Sequence, residues 1–334
     1  MKHIKSSLFV LFALLTLSHF IFSQVKTSGY LQYMYQAVFE ENKTKETFTP
    51  GVINLKFSGA LSENVKWEVQ FGVKEMSFNK FLKDYCIELI DPIPGVKGLE
   101  VKFGQFKYYW SIERKEGSSE RKTIYRSQVV SALVADRDRG LEISYTGLKN
   151  LRLALGLWNG EVVYKNLGTI YETIDYTRNL DDSGAKKDIT GFASYNFEID
   201  KNNALSLNAG FLAGSNDRLN VRDKKRYTLG LDAFLVNKNL HLRSEFIGGR
   251  DDNVKKQGYY LQLSYKFFDY LEPVVKYELW DNNTNVEGKS EWLTLGLYSK
   301  VLNYVVFRLN YVLKTEKPIN VKNDELMFMV QVKF

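Results

Sequence analysis

Seven basic side chains, Lys107, Arg114, Lys115, Arg121, Lys122, Arg126 and Arg137, crowd one stretch of the sequence, against five acidic ones, Glu113, Glu116, Glu120, Asp136 and Asp138. Such a group suits the recognition of anions. The planar fork of arginine takes two oxygens of a phosphate or carboxylate at once and stays charged at any working pH, whereas lysine acts as a point charge. In a narrow, partly desolvated passage, basic groups attract anions more strongly than on an open surface and select by sign. The candidate anion-binding residues are Lys107, Arg114, Arg121, Arg126 and Arg137, helped by Lys56, Lys102, Arg152 and Lys276 on flanking segments. The competing expectation is that these charges pair with Glu113, Glu116 and Glu120 and only stiffen the stretch.

Little else in the chain points to chemistry. Cys86 is the lone cysteine, so no intramolecular disulfide or multi-cysteine metal site can form. Two of the three histidines lie in the first residues, leaving His241 as the one imidazole for a base, with no serine motif around it. The pairs Asp181-Asp182 and Asp251-Asp252 lack the spacing of a calcium loop. No catalysed reaction, cofactor or metal site is expected. The formal net charge of +7 is spread along the chain without a basic stripe or tail, which argues against nucleic acid as a partner.

The elements that must position the basic stretch are legible from periodicity. Met1 to Lys5 is basic and Leu8 to Phe22 mainly apolar, the pattern of a signal peptide over residues 1–23, with one barrel domain expected over 24–334. Beyond it, apolar residues recur at every second position. In Val65 to Lys74 the odd positions are Val65, Trp67, Val69, Phe71 and Val73, while the even ones are Lys66, Glu68, Gln70, Gly72 and Lys74. Period two places successive side chains on opposite faces of a strand. The same phase predicts sixteen strands: 29–39, 51–61, 65–74, 81–91, 99–106, 139–146, 151–160, 188–197, 204–213, 225–235, 240–248, 257–266, 271–280, 291–300, 304–313 and 325–334. Most approach the ~9 to 11 residues of a tilted membrane-crossing strand, not the ~5 to 6 of soluble sheets.

Short turns such as 62–64, 147–150, 237–239 and 268–270 alternate with long connections at 42–49, 107–138, 161–187, 214–224 and 282–290. That alternation fits tight periplasmic turns facing larger external loops, with both termini periplasmic. Because a Lys or Arg facing lipid at mid-bilayer costs ~2–4 kcal/mol, the polar face must point inward. Lys56, Lys66, Glu68, Glu88, Glu100, Lys102, Glu142, Arg152, Asp232, Arg243, Glu245, Lys276, Glu278 and Arg308 then line a lumen with water as its natural filling. The fold expected is all-β, a transmembrane antiparallel β-barrel of about sixteen strands, with the 107–138 connection inserted as a constriction loop. A soluble sandwich would show the same alternation inverted.

Lys83 to Glu88 (KDYCIE) with Val101 to Lys107 (VKFGQFK) resembles the phosphate-selective porin O and P family. Arg126-Ser127, Arg137 to Gly140, Leu157 to Gly160, Gly258 to Gln262 and Leu271 to Glu278 follow in the order of that family, and the terminal Phe334 looks like the closing aromatic of outer-membrane barrels. The family usually carries a proline-containing segment where Tyr108-Tyr109-Trp110 stand, and an arginine where Lys276 stands. The resemblance implies a homotrimeric, anion-conducting porin of the bacterial outer membrane. It would pass small anions such as phosphate by diffusion and contact outer-membrane lipid and lipopolysaccharide. The alternatives are a plugged barrel receptor or adhesin, with Tyr164, Tyr171 and Tyr176 of loop 161–187 as its contact surface, and a barrel hydrolase.

Overall fold

A computed structural model describes residues 25–74, 82–134, 136–160, 162–165, 172–175, 187–216 and 221–334. The leader expected over 1–23 lies outside them, as do Tyr171 and Tyr176.

Sixteen antiparallel strands close into one barrel. They are β1 (Lys26–Phe39), β2 (Thr44–Ser62), β3 (Val65–Lys74), β4 (Leu82–Ile90), β5 (Leu99–Phe106), β6 (Asp138–Tyr145), β7 (Leu151–Trp158), β10 (Asp188–Glu198), β11 (Ala204–Asn216), β12 (Val221–Leu235), β13 (Leu240–Asp251), β14 (Val254–Tyr265), β15 (Leu271–Asp281), β16 (Lys289–Leu302), β17 (Val305–Lys317) and β18 (Asp324–Lys333). The remaining two, β8 (Val162–Lys165) and β9 (Glu172–Asp175), form a separate hairpin in the connection after β7. Each barrel strand overlaps one of the sixteen predicted ranges.

Closure comes from β1 lying against β18, with Leu31 opposite Val332 and Tyr33 opposite Val330. Beyond that ladder, Gly29 and Phe334 exchange backbone hydrogen bonds of 2.8 and 3.0 Å. A Cβ on Gly29 would lie 2.6 Å from the Phe334 ring, so glycine is what lets the terminal aromatic seat there.

Burial is inverted relative to a soluble protein. Leu229, Leu155 and Leu261 are 60%, 62% and 46% exposed, whereas Glu245, Lys276 and Arg308 are at most 1% exposed. An apolar outside and a charged inside are stable only where the outside is hydrocarbon. On this account Leu229→Arg in β12 is expected to cost ~2–4 kcal/mol and Leu229→Phe almost nothing, because lipid charges for polarity but not for shape. Urea midpoints of the barrel refolded into vesicles check both. An unchanged midpoint for the arginine variant would mean that Leu229 does not meet hydrocarbon.

The connections differ from the expected ones in one respect. Strands β1 and β2 continue pairing to Phe39 and Thr44, so most of the long loop expected at 42–49 is strand, and β11 and β12 likewise run into 214–224. Hydrophobic alternation reports only the lipid-facing part of a strand. Thr44-Lys45-Glu46-Thr47 needs no apolar face to keep its ladder once it has left the membrane.

Candidate functional site

The connection between β5 and β6 folds inside the barrel, where it carries two short helices, α1 (Ile112–Lys115) and α2 (Gln128–Leu133). Its root is shaped by Gly104, whose φ of +123° belongs to glycine and whose Cβ would meet the Tyr85 carbonyl at 2.1 Å.

A backbone segment entering a lumen must have its N–H and C=O groups satisfied, and the wall charges do this. The Glu142 carboxylate accepts from the Tyr109 N–H (2.7 Å). The Glu245 carboxylate accepts from Ser111 Oγ (3.0 Å), the Ile112 N–H (2.9 Å) and the Glu113 N–H (3.1 Å), capping α1. The Glu278 carboxylate accepts from the Gln128 N–H (2.8 Å) at the start of α2. Lys276 donates to the Tyr125 carbonyl (3.0 Å), and Arg308 to those of Arg121 (2.7 Å) and Ser119 (2.9 Å). Several of the charges expected to face water are thus the loop's hydrogen-bond partners.

An apolar contact reinforces the docking. Tyr108, Trp110, Val129, Val130 and Leu133 of the loop pack against Trp158, Leu212, Ile247 and Tyr260 of the wall. Trp110, Val130, Ile247 and Tyr260 have no exposed surface. These wall residues occupy the lumenal phase of their strands and break the polar run there, the one sequence signal that marks where a loop is to dock.

The candidate basic residues divide into groups. Lys107, Arg114, Arg126 and Arg137 lie near enough that their charges act on one another, and Arg121 acts on Arg126. Burial, together with Arg121 and Arg114, pushes the Arg126 guanidinium below its ordinary range. Arg126 donates to the carbonyls of Glu113 and Glu116 (2.7 Å to the latter), Arg114 to those of Val130 (2.8 Å) and Val134, and Lys107 to that of Glu116 (3.1 Å). A carbonyl fixes such a group without a full counter-charge, although Asp136 acts on Lys107 and Arg126, and Glu113 on Arg126. Arg121 Nε has no hydrogen-bond partner among the described residues.

Other members are paired with acids. Arg137 binds Asp84 at 2.6 Å and Asp136 at 2.7 Å, and Arg114 has Asp136 at 3.7 Å. Lys276 lies on the opposite wall between Glu278 (2.8 Å) and Glu113 (3.7 Å), and Lys56 pairs with Glu68 at 2.5 Å. The carboxylates of Glu116 and Glu120, offered as partners for the loop's own bases, go to Arg243 (2.8 Å) and Lys333 (2.6 Å) instead.

Lys102 and Arg152 stand with Lys115, a loop residue not among the candidates. Lys102 lies over the Phe106 ring at 5.0 Å and Arg152 over the Tyr109 ring at 4.6 Å. Burial pushes the Lys115 ammonium down to about 8, against the pull of Glu142. His241 is bound to Asp232 at 2.6 Å and stacked on Phe234, the surroundings of a wall residue. Among the described residues no cluster of three or more His, Cys, Asp or Glu side chains could hold a metal ion.

No protein-family model and no curated protein matches the chain. Solved structures do. The high-pH structure of OprB from Pseudomonas putida has a TM-score of 0.68 at 11% identity, over 96% of each chain. The anion-selective porin from Comamonas acidovorans has 0.65 at 12%, over 93% of this chain and 99% of the other. In-vitro folded OmpT of Vibrio cholerae, in its trimer form, has 0.62 at 11%, again over 93% and 99%. The chain therefore has the closed sixteen-stranded fold of the outer-membrane porins.

Proposed function

We propose that this protein is an outer-membrane porin, a passive channel for small hydrophilic solutes that favours anions, phosphate or similar oxyanions among them. The observation that carries this reading is the basic cluster Lys107, Arg114, Arg121 and Arg126 on a loop held inside a closed barrel, with Lys107, Arg114 and Arg126 fastened to carbonyls. An electropositive constriction raises the local concentration of anions and repels cations. Arginine forks match the oxygens of phosphate, in keeping with the resemblance to the phosphate-selective family. The likeness to an anion-selective porin supports the sign of the preference, and the likeness to a trimeric barrel supports assembly as a homotrimer. Export by the leader over 1–23 and residence in the bacterial outer membrane, against lipid and lipopolysaccharide, complete the reading. It involves no catalysed reaction.

The test is reconstitution in a planar bilayer under a potassium chloride gradient. Discrete steps, an anion-selective reversal potential and block by added phosphate are expected. Since Lys115 releases its proton near pH 8, it is charged below that pH and neutral above it, so anion preference should fall as pH rises through 8. Steps without sign preference would leave a general porin. Folded, inserted protein that passes no current would favour the plugged receptor.

A further inference from the structure

Beside the loop, toward the β6–β7 turn, lies a cavity of about 460 Å³. This volume is within the ~300–1,000 Å³ of small-molecule sites. Its lining includes Tyr109, Lys115, Arg152, Phe192 and Asn208, and Leu148 and Asn150 of the turn between β6 and β7 place it at the barrel end that carries this short turn. None of the four cluster bases Lys107, Arg114, Arg121 and Arg126 lines it.

The Tyr109 ring organises this site. Lys115 Nζ sits 3.7 Å and the Arg152 guanidinium 4.6 Å from its centre, and Phe192 stacks beside it at 6.0 Å with the planes 28° apart. Two cations are thereby held next to an aromatic wall, with Ile112, Leu148 and Leu151 extending the apolar surface.

The donors are incompletely used. Lys115 donates to one carbonyl, that of Lys107 (2.9 Å), and makes no ion pair with a described residue. Arg152 Nη1 has no hydrogen bond among the described residues, and its ion pair with Glu100 is loose at 3.6 Å. Asn208 Nδ2 also has no hydrogen-bond partner among the described residues. The neighbouring acids are shared: Glu142 accepts from the Tyr109 N–H (2.7 Å) while acting on Lys115, Glu100 accepts from Ser144 Oγ (3.0 Å) beside Arg152, and Asp232 is bound to Arg243 and His241. Unspent donors beside an apolar wall suit a ligand with an acidic head and a greasy or flat body.

We infer that this cavity is a binding site for a small organic anion, a carboxylate on an apolar or ring-shaped body, with Lys115 and Arg152 taking the carboxylate and Phe192 the body. It lies apart from the four-base cluster, and although Lys115 and Arg152 also add charge to the channel, ligand binding is read without current. Binding is therefore measured by calorimetry on the full, folded barrel in detergent, where a failure to conduct has no effect.

Benzoate is the probe, with acetate and benzyl alcohol as its two halves. Saturable benzoate binding is expected, with acetate and benzyl alcohol each weaker by roughly tenfold or more, about 1.4 kcal/mol. Arg152→Gln and Lys115→Gln should each weaken benzoate by a similar factor, and Phe192→Leu should weaken benzoate while leaving acetate alone. Folding of each variant is checked by its heat-modifiable gel migration. The inference is overturned if benzoate does not bind, if acetate binds as well as benzoate, or if folded Arg152→Gln and Lys115→Gln barrels bind benzoate like the parent.

Discussion

A barrel carrying Glu245→Ala should show larger and less steady single-channel currents than the parent, and its loop should become open to trypsin between residues 107 and 137. The carboxylate of Glu245 is the anchor for the first half of the loop: Ser111 Oγ and the N–H groups of Ile112 and Glu113 all donate to it, and Tyr260 OH adds a fourth bond at 3.1 Å. Each buried donor left without a partner costs ~1–3 kcal/mol. Losing two of them without replacement would shift the docking equilibrium by roughly thirtyfold to roughly twenty-thousandfold.

Release should be confined to one half. The second half stays fixed by Val129, Val130 and Leu133 in the apolar contact and by the Gln128 bond to Glu278. Residues 111–115 are therefore expected to swing first, exposing Arg114 and Lys115 to protease, while α2 and the stretch from Ser119 to Arg121, held by Arg308, stay in place. Glu245→Gln keeps one acceptor but points an amide N–H₂ at other donors, so it should fall between the two. Parent-like conductance together with a protected loop in the alanine variant would mean that the apolar contact alone holds the loop.

The barrel was legible in the sequence because its cause is binary. One face of every strand meets hydrocarbon and the other does not, so the row Leu151, Leu153, Leu155, Leu157 declares both strand and orientation, and each predicted range coincides with a strand. Strand ends were less legible. Outside the membrane both faces are wet and Thr44 to Thr47 lose the alternation, although their ladder persists.

The loop's insertion was expected from its length together with its place between the fifth and sixth strands, where porins commonly fold a loop inward, but its fastening was not legible. A lumenal Glu245 or Lys276 reads the same whether it faces water or a backbone N–H, because periodicity gives the direction of a side chain and not its partner. What was available is the break in the polar phase: Trp158, Ile247 and Tyr260 are large apolar residues at inward positions. The place of Lys115 beside Tyr109 and Arg152 joins the loop to the wall, a contact that no local spacing encodes.

Replacing Arg121 by glutamine is expected to reduce the ratio of anion to cation permeability by roughly fivefold while leaving conductance and loop protection near the parent's, the factor following from the ~1 kcal/mol that a unit charge exerts at 4 Å even in water. Two observations set this residue apart. The wall holds its backbone, through the Arg308 bond to its carbonyl, and its Nε makes no hydrogen bond among the described residues. Removing the side chain should thus subtract charge without subtracting a fastening. Arg126→Gln is the contrast: its two nitrogens tie together the carbonyls of Glu113 and Glu116, so its loss should disturb both selectivity and the steadiness of the current. Arg114, which joins α1 to the carbonyls of Val130 and Val134, should behave like Arg126. Reversal potentials of the three single variants and of the triple, measured in one salt gradient, separate the two roles. If the triple variant keeps the parent's permeability ratio, the cluster is a brace for the loop and anion preference must arise elsewhere on the wall. If Arg121→Gln alone moves the ratio, charge at the constriction sets the sign of the ions admitted and the carbonyl-bound arginines hold that charge in place.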